Sequence, residues 1–97
     1  MGSALKRWGI SATPQYPVKR RIRGYYYLDF AIPGSLVAIE CDGAAYHSTP
    51  AQKARDKRRQ VELESLGWTV LRFSGSQING DIDQCEHVIR QVLSNPR

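Results

Sequence analysis

Three acidic residues, Asp29, Glu40 and Asp42, stand in two neighbouring runs of alternating polarity, and His47 follows Asp42 by five positions. From Tyr25 to Ile32 the alternation sets Leu28, Phe30 and Ile32 against Tyr25, Tyr27, Asp29 and Ala31. From Val37 to Asp42 it sets Val37, Ile39 and Cys41 against Ala38, Glu40 and Asp42, and Pro33-Gly34-Ser35 between the runs is turn chemistry. The two runs therefore predict a hairpin. For the apolar sets to share a face the loop must hold two or four residues. Four place Asp29 directly opposite Glu40 at roughly 5 Å between Cβ atoms, and two place it diagonally at about 7 Å. Asp42 lies two residues beyond Glu40 on the same face, so up to three negative charges converge where the ribbon ends. Such a cluster repels itself unless something neutralises it. Oxygen-only ligation on a partly open site suits Mg²⁺ or Mn²⁺, which retain waters that a phosphate can replace. The competing reading is ion pairing of Asp29 and Glu40 with Arg23, Arg59 or Arg72.

A helix adds to this constellation. Gln52, Asp56, Arg59, Leu63 and Leu66 form one helical stripe, so leucines anchored in the core would aim Asp56 and Arg59 the same way near the other end. Their expected roles are orienting His47 and binding phosphate; the alternative is a local pair worth ~0.2–0.5 kcal/mol. His47, past a glycine and just before the helix, could act as general base or protonate a leaving oxygen, or simply face solvent. His87, between Glu86 and Val88 in the last helix, carries no such expectation.

The elements that must position these residues can be read along the chain. Met1-Gly2-Ser3 has the look of an expression scar, Ala4 to Ile10 a short helical remnant, and the stretch to Pro17 coil, with a further strand near Tyr16 to Ile22. Thr49-Pro50-Ala51-Gln52 combines an N-cap, proline at the first helical position and the glutamine of a capping box, and Gly67 stops that helix. Trp68 to Phe73 reads as a buried strand, and Ile82, Cys85, Ile89 and Val92 give a final helix. This order implies an α/β domain with a mixed sheet, in which an antiparallel hairpin, a crossover helix and a further strand are flanked by helices. With 97 residues the chain is expected to form a single domain, residues 1–97.

The charge balance points to a partner. Fourteen Lys and Arg against nine Asp and Glu give a net charge of +5. The surplus is clustered, with Lys19, Arg20, Arg21 and Arg23 ahead of the hairpin and Lys53, Lys57 and Arg59 on the helix, a placement suited to a DNA backbone. Alternatively these groups give solubility and a flexible basic arm. The apolar runs fall far short of the ~18–20 residues that cross a bilayer, and no leader pattern opens the chain, so a cytoplasmic protein with reduced Cys41 and Cys85 is expected. No Cys/His cluster has the spacing of a zinc site.

The block Leu28-Asp29-Phe30, Ile39-Glu40-Cys41-Asp42-Gly43-Ala44-Ala45-Tyr46-His47, Arg55-Asp56-Lys57-Arg58-Arg59 and Leu66-Gly67-Trp68-Thr69-Val70-Leu71-Arg72-Phe73 resembles the very-short-patch repair endonuclease branch of the PD-(D/E)XK nuclease superfamily, over roughly residues 15 to 93. The resemblance implies a restriction-endonuclease-like fold and Mg²⁺-dependent DNA cleavage. It casts Asp29 as the central metal-binding aspartate, Glu40 and Asp42 as the second acidic and third positions, His47 as a catalytic histidine and Asp56 as its supporting acid. The superfamily's usual lysine at the third position is Asp42 here, and the N-terminal helix lacks the branch's glutamate. The competing readings are a catalytically inactive nuclease-like module that binds nucleic acid for a larger protein and, less well suited to the acidic cluster, a protein–protein adaptor using the Tyr-rich hairpin.

Overall fold

The computed structural model describes residues 1–42 and 49–94. In chain order it forms α1 (Gly2–Arg7), β1 (Thr13–Lys19), β2 (Tyr25–Ile32), a 3-10 turn (Pro33–Ser35), β3 (Val37–Asp42), α2 (Pro50–Ser65), β4 (Thr69–Ser74), α3 (Gly75–Gly80) and α4 (Ile82–Ser94). The sheet order is β1-β2-β3-β4. The first three strands pair antiparallel and β4 runs parallel to β3, so a crossover is required, and α2 supplies it. This is the expected mixed α/β architecture. Ile32 pairs with Val37, which makes the hairpin loop four residues long, and Leu36 closes it in the left-handed region at φ 53°.

Both faces of the sheet are covered. On one, Leu5, Ile10, Cys85 and Ile89 meet Val37, Ile39 and Phe73, with Phe30, Ile32 and Leu71 packed against them. On the other, Leu63 of α2 packs with Leu28, Ala31, Ala38, Val18 and Trp68. The expectation that Leu28 shares a face with Phe30 and Ile32 is therefore corrected, and the supposed polar positions Ala31 and Ala38 are fully buried beneath α2. The cause is a coordinated break in β1 and β2. The pairs Pro14↔Phe30 and Tyr16↔Leu28 flank Gln15 and Asp29, and Gln15 has φ 50°, a left-handed conformation that an L side chain adopts at some expense. Beyond this point each strand presents the opposite parity, so Leu28 reaches the α2 side while Phe30 and Ile32 reach α4. Alanines at the Ala31↔Ala38 pair leave room for Leu63 to sit close to the strands.

Three boundaries differ from the sequence reading. β1 begins at Thr13, inside the stretch read as coil, and ends at Lys19 rather than Ile22. Residues 20–24 form the tip, closed by the Arg20 N–H donating to the Gly24 carbonyl at 3.0 Å with Gly24 at φ 86°. The short helix α3 was not anticipated, although Ser74 and Gln77 form a capping box of the same kind as Thr49 and Gln52 at α2. Gly2 and Ser3 belong to α1, and Met1 packs against the larger core. Among the described residues, no helix is long and apolar enough to cross a membrane, and Cys41 and Cys85 are free thiols.

Candidate active site

The β2–β3 ladder runs from Ile32↔Val37 to Phe30↔Ile39, whereas β3 stays paired with β4 as far as Asp42↔Ser74. The next antiparallel pair would be Asp29 opposite Glu40. Here the strands exchange side-chain bonds in place of the ladder. The Cys41 N–H donates to Asp29 Oδ2 at 2.8 Å, and the Asp29 N–H donates to Glu40 Oε2 at 3.4 Å. The same break that turns Leu28 toward α2 thus frees the Asp29 carboxylate to enter the gap between β2 and β3, and the four-residue loop sets Glu40 beside it.

Glu40 is 5% exposed, an uncommon state for a carboxylate. Burial pushes its pKa above the ordinary 4.5, while the Arg59 guanidinium opposes that rise and the Asp29 charge adds to it. Arg59 reaches down from α2: its Nη2 forms an ion pair with Glu40 Oε1 and donates to the Tyr27 carbonyl at 3.1 Å, and its guanidinium lies 5.5 Å from the Tyr26 ring centre. Glu40 Oε1 is sealed from solvent, and the Arg59 guanidinium is the charge that faces it. Asp29 Oδ1 takes no hydrogen bond from a described residue. Among the described residues these two neighbouring carboxylates offer oxygen donors, the kind a hard divalent cation takes.

The remaining candidates are distributed around this pair. Asp42 is exposed at the end of β3, with Arg72 Nη1 at 3.7 Å from its Oδ1 while Arg72 Nε donates to Gln60 at 3.0 Å. Among the described residues, no group of three or more His, Cys, Asp and Glu side chains converges as metal ligands, so the close set is the pair Asp29 and Glu40 rather than a triad with Asp42. His47 lies outside the described residues. Asp56 is exposed on α2 and lines a shallow cavity of about 390 Å³ with Lys53, Gln60 and Arg72. Burial pushes the Cys41 thiol up, which disfavours the thiolate.

Of the basic candidates, Lys19, Arg23, Lys53 and Lys57 are exposed, without an ion pair to another described residue. Arg20 and Arg21 are instead fastened to α2. The Arg21 N–H donates to Glu62 at 2.8 Å, its guanidinium bonds Ser65, and Arg20 stacks 4.6 Å from the Tyr26 ring centre. Tyr26 Oη donates to Glu62 at 2.9 Å, and these donors hold the Glu62 carboxyl below its ordinary range, the Arg21 N–H most strongly. Sequence reasoning missed Glu62 and the part Tyr26 plays in this anchor. The helical spacing Arg59, Glu62, Ser65 along one side of α2 was the available signal.

With the geometry in place, comparison with known proteins becomes informative. The family model of REase_MTES_1575, a restriction-endonuclease-like family, matches residues 1–93. The chain belongs to this family. REase_MTES_1575 membership agrees with a solved structure, the homing endonuclease I-Bth0305I catalytic domain, which superposes with a TM-score of 0.70 at 25% identity, over 94% of this chain and 86% of that one. Relatives include the uncharacterised protein YcjD of Escherichia coli (strain K12), 43% identical over 82% of this chain and 62% of that protein. An uncharacterised protein of Haemophilus influenzae (strain ATCC 51907) is 36% identical over 74% and 59%. The uncharacterised protein Rv2248 of Mycobacterium tuberculosis is 37% identical over 59% of this chain and 21% of its own length. The chain thus spans about three fifths of the first two relatives and about a fifth of the third. Family and neighbour agree on a restriction-endonuclease-like fold.

Proposed function

We propose that the chain is a metal-dependent endodeoxyribonuclease of the very-short-patch-repair-like branch of the PD-(D/E)XK superfamily, hydrolysing phosphodiester bonds. The observation that carries this reading is the Asp29–Glu40 pair of carboxylates brought side by side at the gap between β2 and β3, where the ladder of the hairpin stops. Asp29 and Glu40 would hold Mg²⁺ or Mn²⁺, with Asp42 at the rim. When bound, the ion supplies Lewis acidity toward the scissile phosphate and a water of lowered pKa.

The chain's own groups do the rest. The Cys41 N–H fixes Asp29 Oδ2, and Oδ1 would be the oxygen offered to the ion. Arg59 faces the buried Glu40 carboxyl and opposes the upward push that burial gives its pKa. His47, with Asp56 as its support, would move the proton between water and leaving oxygen. Lys19, Arg23, Lys53 and Lys57 would hold flanking phosphates with little sequence preference, while Arg20, Arg21 and Arg59 serve mainly to fix the hairpin and Glu40.

The test is incubation with supercoiled plasmid in Mg²⁺ or Mn²⁺, with EDTA and Asp29→Ala as controls. Nicked circle or linear product, lost in both controls, supports the reading. Retention of DNA without nicking in any divalent metal would instead favour an inactive nucleic-acid-binding module, a state for which the Arg59–Glu40 ion pair already provides charge neutrality.

A further inference from the structure

The β1–β2 tip presents a feature that the acidic pair does not use. Ile22 is 96% exposed at the centre of residues 20–24, the most exposed large apolar side chain described. It is flanked by Arg20, Arg21 and Arg23. Below it, Arg20, Arg21, Ile22, Lys57, Arg58 and Val61 line a groove of about 500 Å³ between the tip and α2. Val61 is itself 55% exposed. An apolar side chain so placed would ordinarily favour burial, and nothing in the charge around it suits an apolar or basic protein surface.

The tip is also held in place. The Arg21 N–H and guanidinium bond Glu62 and Ser65 of α2, and the Arg20 N–H closes the turn on Gly24. These three interactions hold the turn that carries Ile22. Polyanion and apolar wedge site coincide in duplex DNA. Proteins that enter the minor groove place Arg and Lys along the phosphates and push an isoleucine, leucine or phenylalanine between base steps. A two-stranded ribbon with a single protruding isoleucine and basic flanks has these parts.

We propose that the β1–β2 tip enters the minor groove of duplex DNA and that Ile22 inserts at a base step, unstacking it. This deepens the nuclease reading by giving that site a second contact with its DNA, and it rests on DNA being the substrate. Seven residue steps join Ile22 to Asp29, at most about 23 Å at the usual strand rise, or about seven base pairs along the duplex. The inserted step should therefore lie within about seven base pairs of the phosphate at the acidic pair. Flexible pyrimidine–purine steps within that distance should be preferred, since they unstack most readily.

The experiment uses the whole chain in EDTA, so that binding is read without cleavage. Short DNA duplexes carrying 2-aminopurine report unstacking by fluorescence, and anisotropy over a salt series reports affinity. The wild type should raise 2-aminopurine fluorescence. Ile22→Ala should abolish the rise and weaken binding about tenfold while leaving the slope against log salt unchanged, and Ile22→Leu should retain both. Lys57→Ala should keep the rise and reduce the slope by about 0.9, the loss of one phosphate contact. Equal behaviour of wild type and Ile22→Ala would overturn the proposal, as would equal binding to duplex RNA, or self-association that Ile22→Ala abolishes without any change in DNA binding. Plasmid nicking in Mg²⁺ separates the two readings. Nicking without Ile22-dependent unstacking sinks the wedge alone, and unstacking without nicking in any metal sinks the nuclease alone.

Discussion

Replacing Arg59 by methionine isolates what its guanidinium does for Glu40, because methionine keeps most of the aliphatic stem. Glu40 is 5% exposed, and Arg59 is its ion-pair partner among the described residues. Breaking a buried pair from one side costs about 3–5 kcal/mol, and since the Arg59 side chain is 20% exposed, solvent places this case near about 3 kcal/mol. For a domain of this size 1 kcal/mol moves Tm by about 4–8 °C, so thermal unfolding followed by circular dichroism at pH 7 should show a fall of about 12–24 °C. The pH dependence carries a sign. Burial already raises the folded-state pKa of Glu40, and removing Arg59 removes the principal opposing influence. The folded variant then binds this proton more tightly than the unfolded chain, so its stability falls as pH rises through the window above the ordinary value of 4.5. The deficit should be large at pH 7 and small near pH 5. Glu40→Gln combined with Arg59→Met should recover most of the loss, giving a coupling of about 2 kcal/mol. A Tm change of under about 3 °C at pH 7, or a double variant no better than the single, would refute the assignment of Arg59 as the counter-charge of Glu40.

Two further outcomes follow from the packing and the hairpin. Gly67 has φ 98°, and a Cβ there would lie 3.3 Å from Leu36 Cδ1, so Gly67→Ala should lower stability by about 1–2 kcal/mol in urea unfolding. Glu62 has its pKa lowered by the Arg21 N–H and Tyr26 Oη, so its contribution is complete above 4.5 and is lost as pH falls below it. Amide exchange at the 20–24 tip should accelerate on acidification in wild type relative to the exchange expected for unstructured chain, whereas Glu62→Gln should show fast relative exchange already at pH 7.

Much of the fold was legible because local signals were strong. The Thr49–Gln52 capping box, the Gly67 stop and the two alternating runs each specify an element by short-range chemistry, and the restriction of the hairpin loop to two or four residues admitted the four-residue loop that sets Asp29 beside Glu40. The parity switch at Asp29 was not legible. It depends on Gln15, a residue of ordinary strand propensity that takes a left-handed conformation in the partner strand, and nothing within β2 signals it. For the same reason Ala31 and Ala38 read as solvent-facing although they form the floor under Leu63. At the site, the i+7 stripe correctly aimed Arg59 at the acidic end, but the choice between cation and arginine for Glu40 turns on a guanidinium's reach across a sheet, a tertiary distance that spacing cannot supply. The hairpin anchor on Glu62 was hidden likewise, since Arg21 and Glu62 are 41 residues apart.

The central claim is that Asp29 and Glu40 together hold a divalent ion. Titration of the chain with Mn²⁺, followed by the loss of the free-ion paramagnetic resonance signal, measures this directly. One bound ion per chain in wild type, absent in Asp29→Asn and in Glu40→Gln when both variants retain the wild-type circular dichroism spectrum, is the expected result. Unchanged Mn²⁺ binding in either folded variant, or none in wild type with or without a DNA duplex, would contradict it.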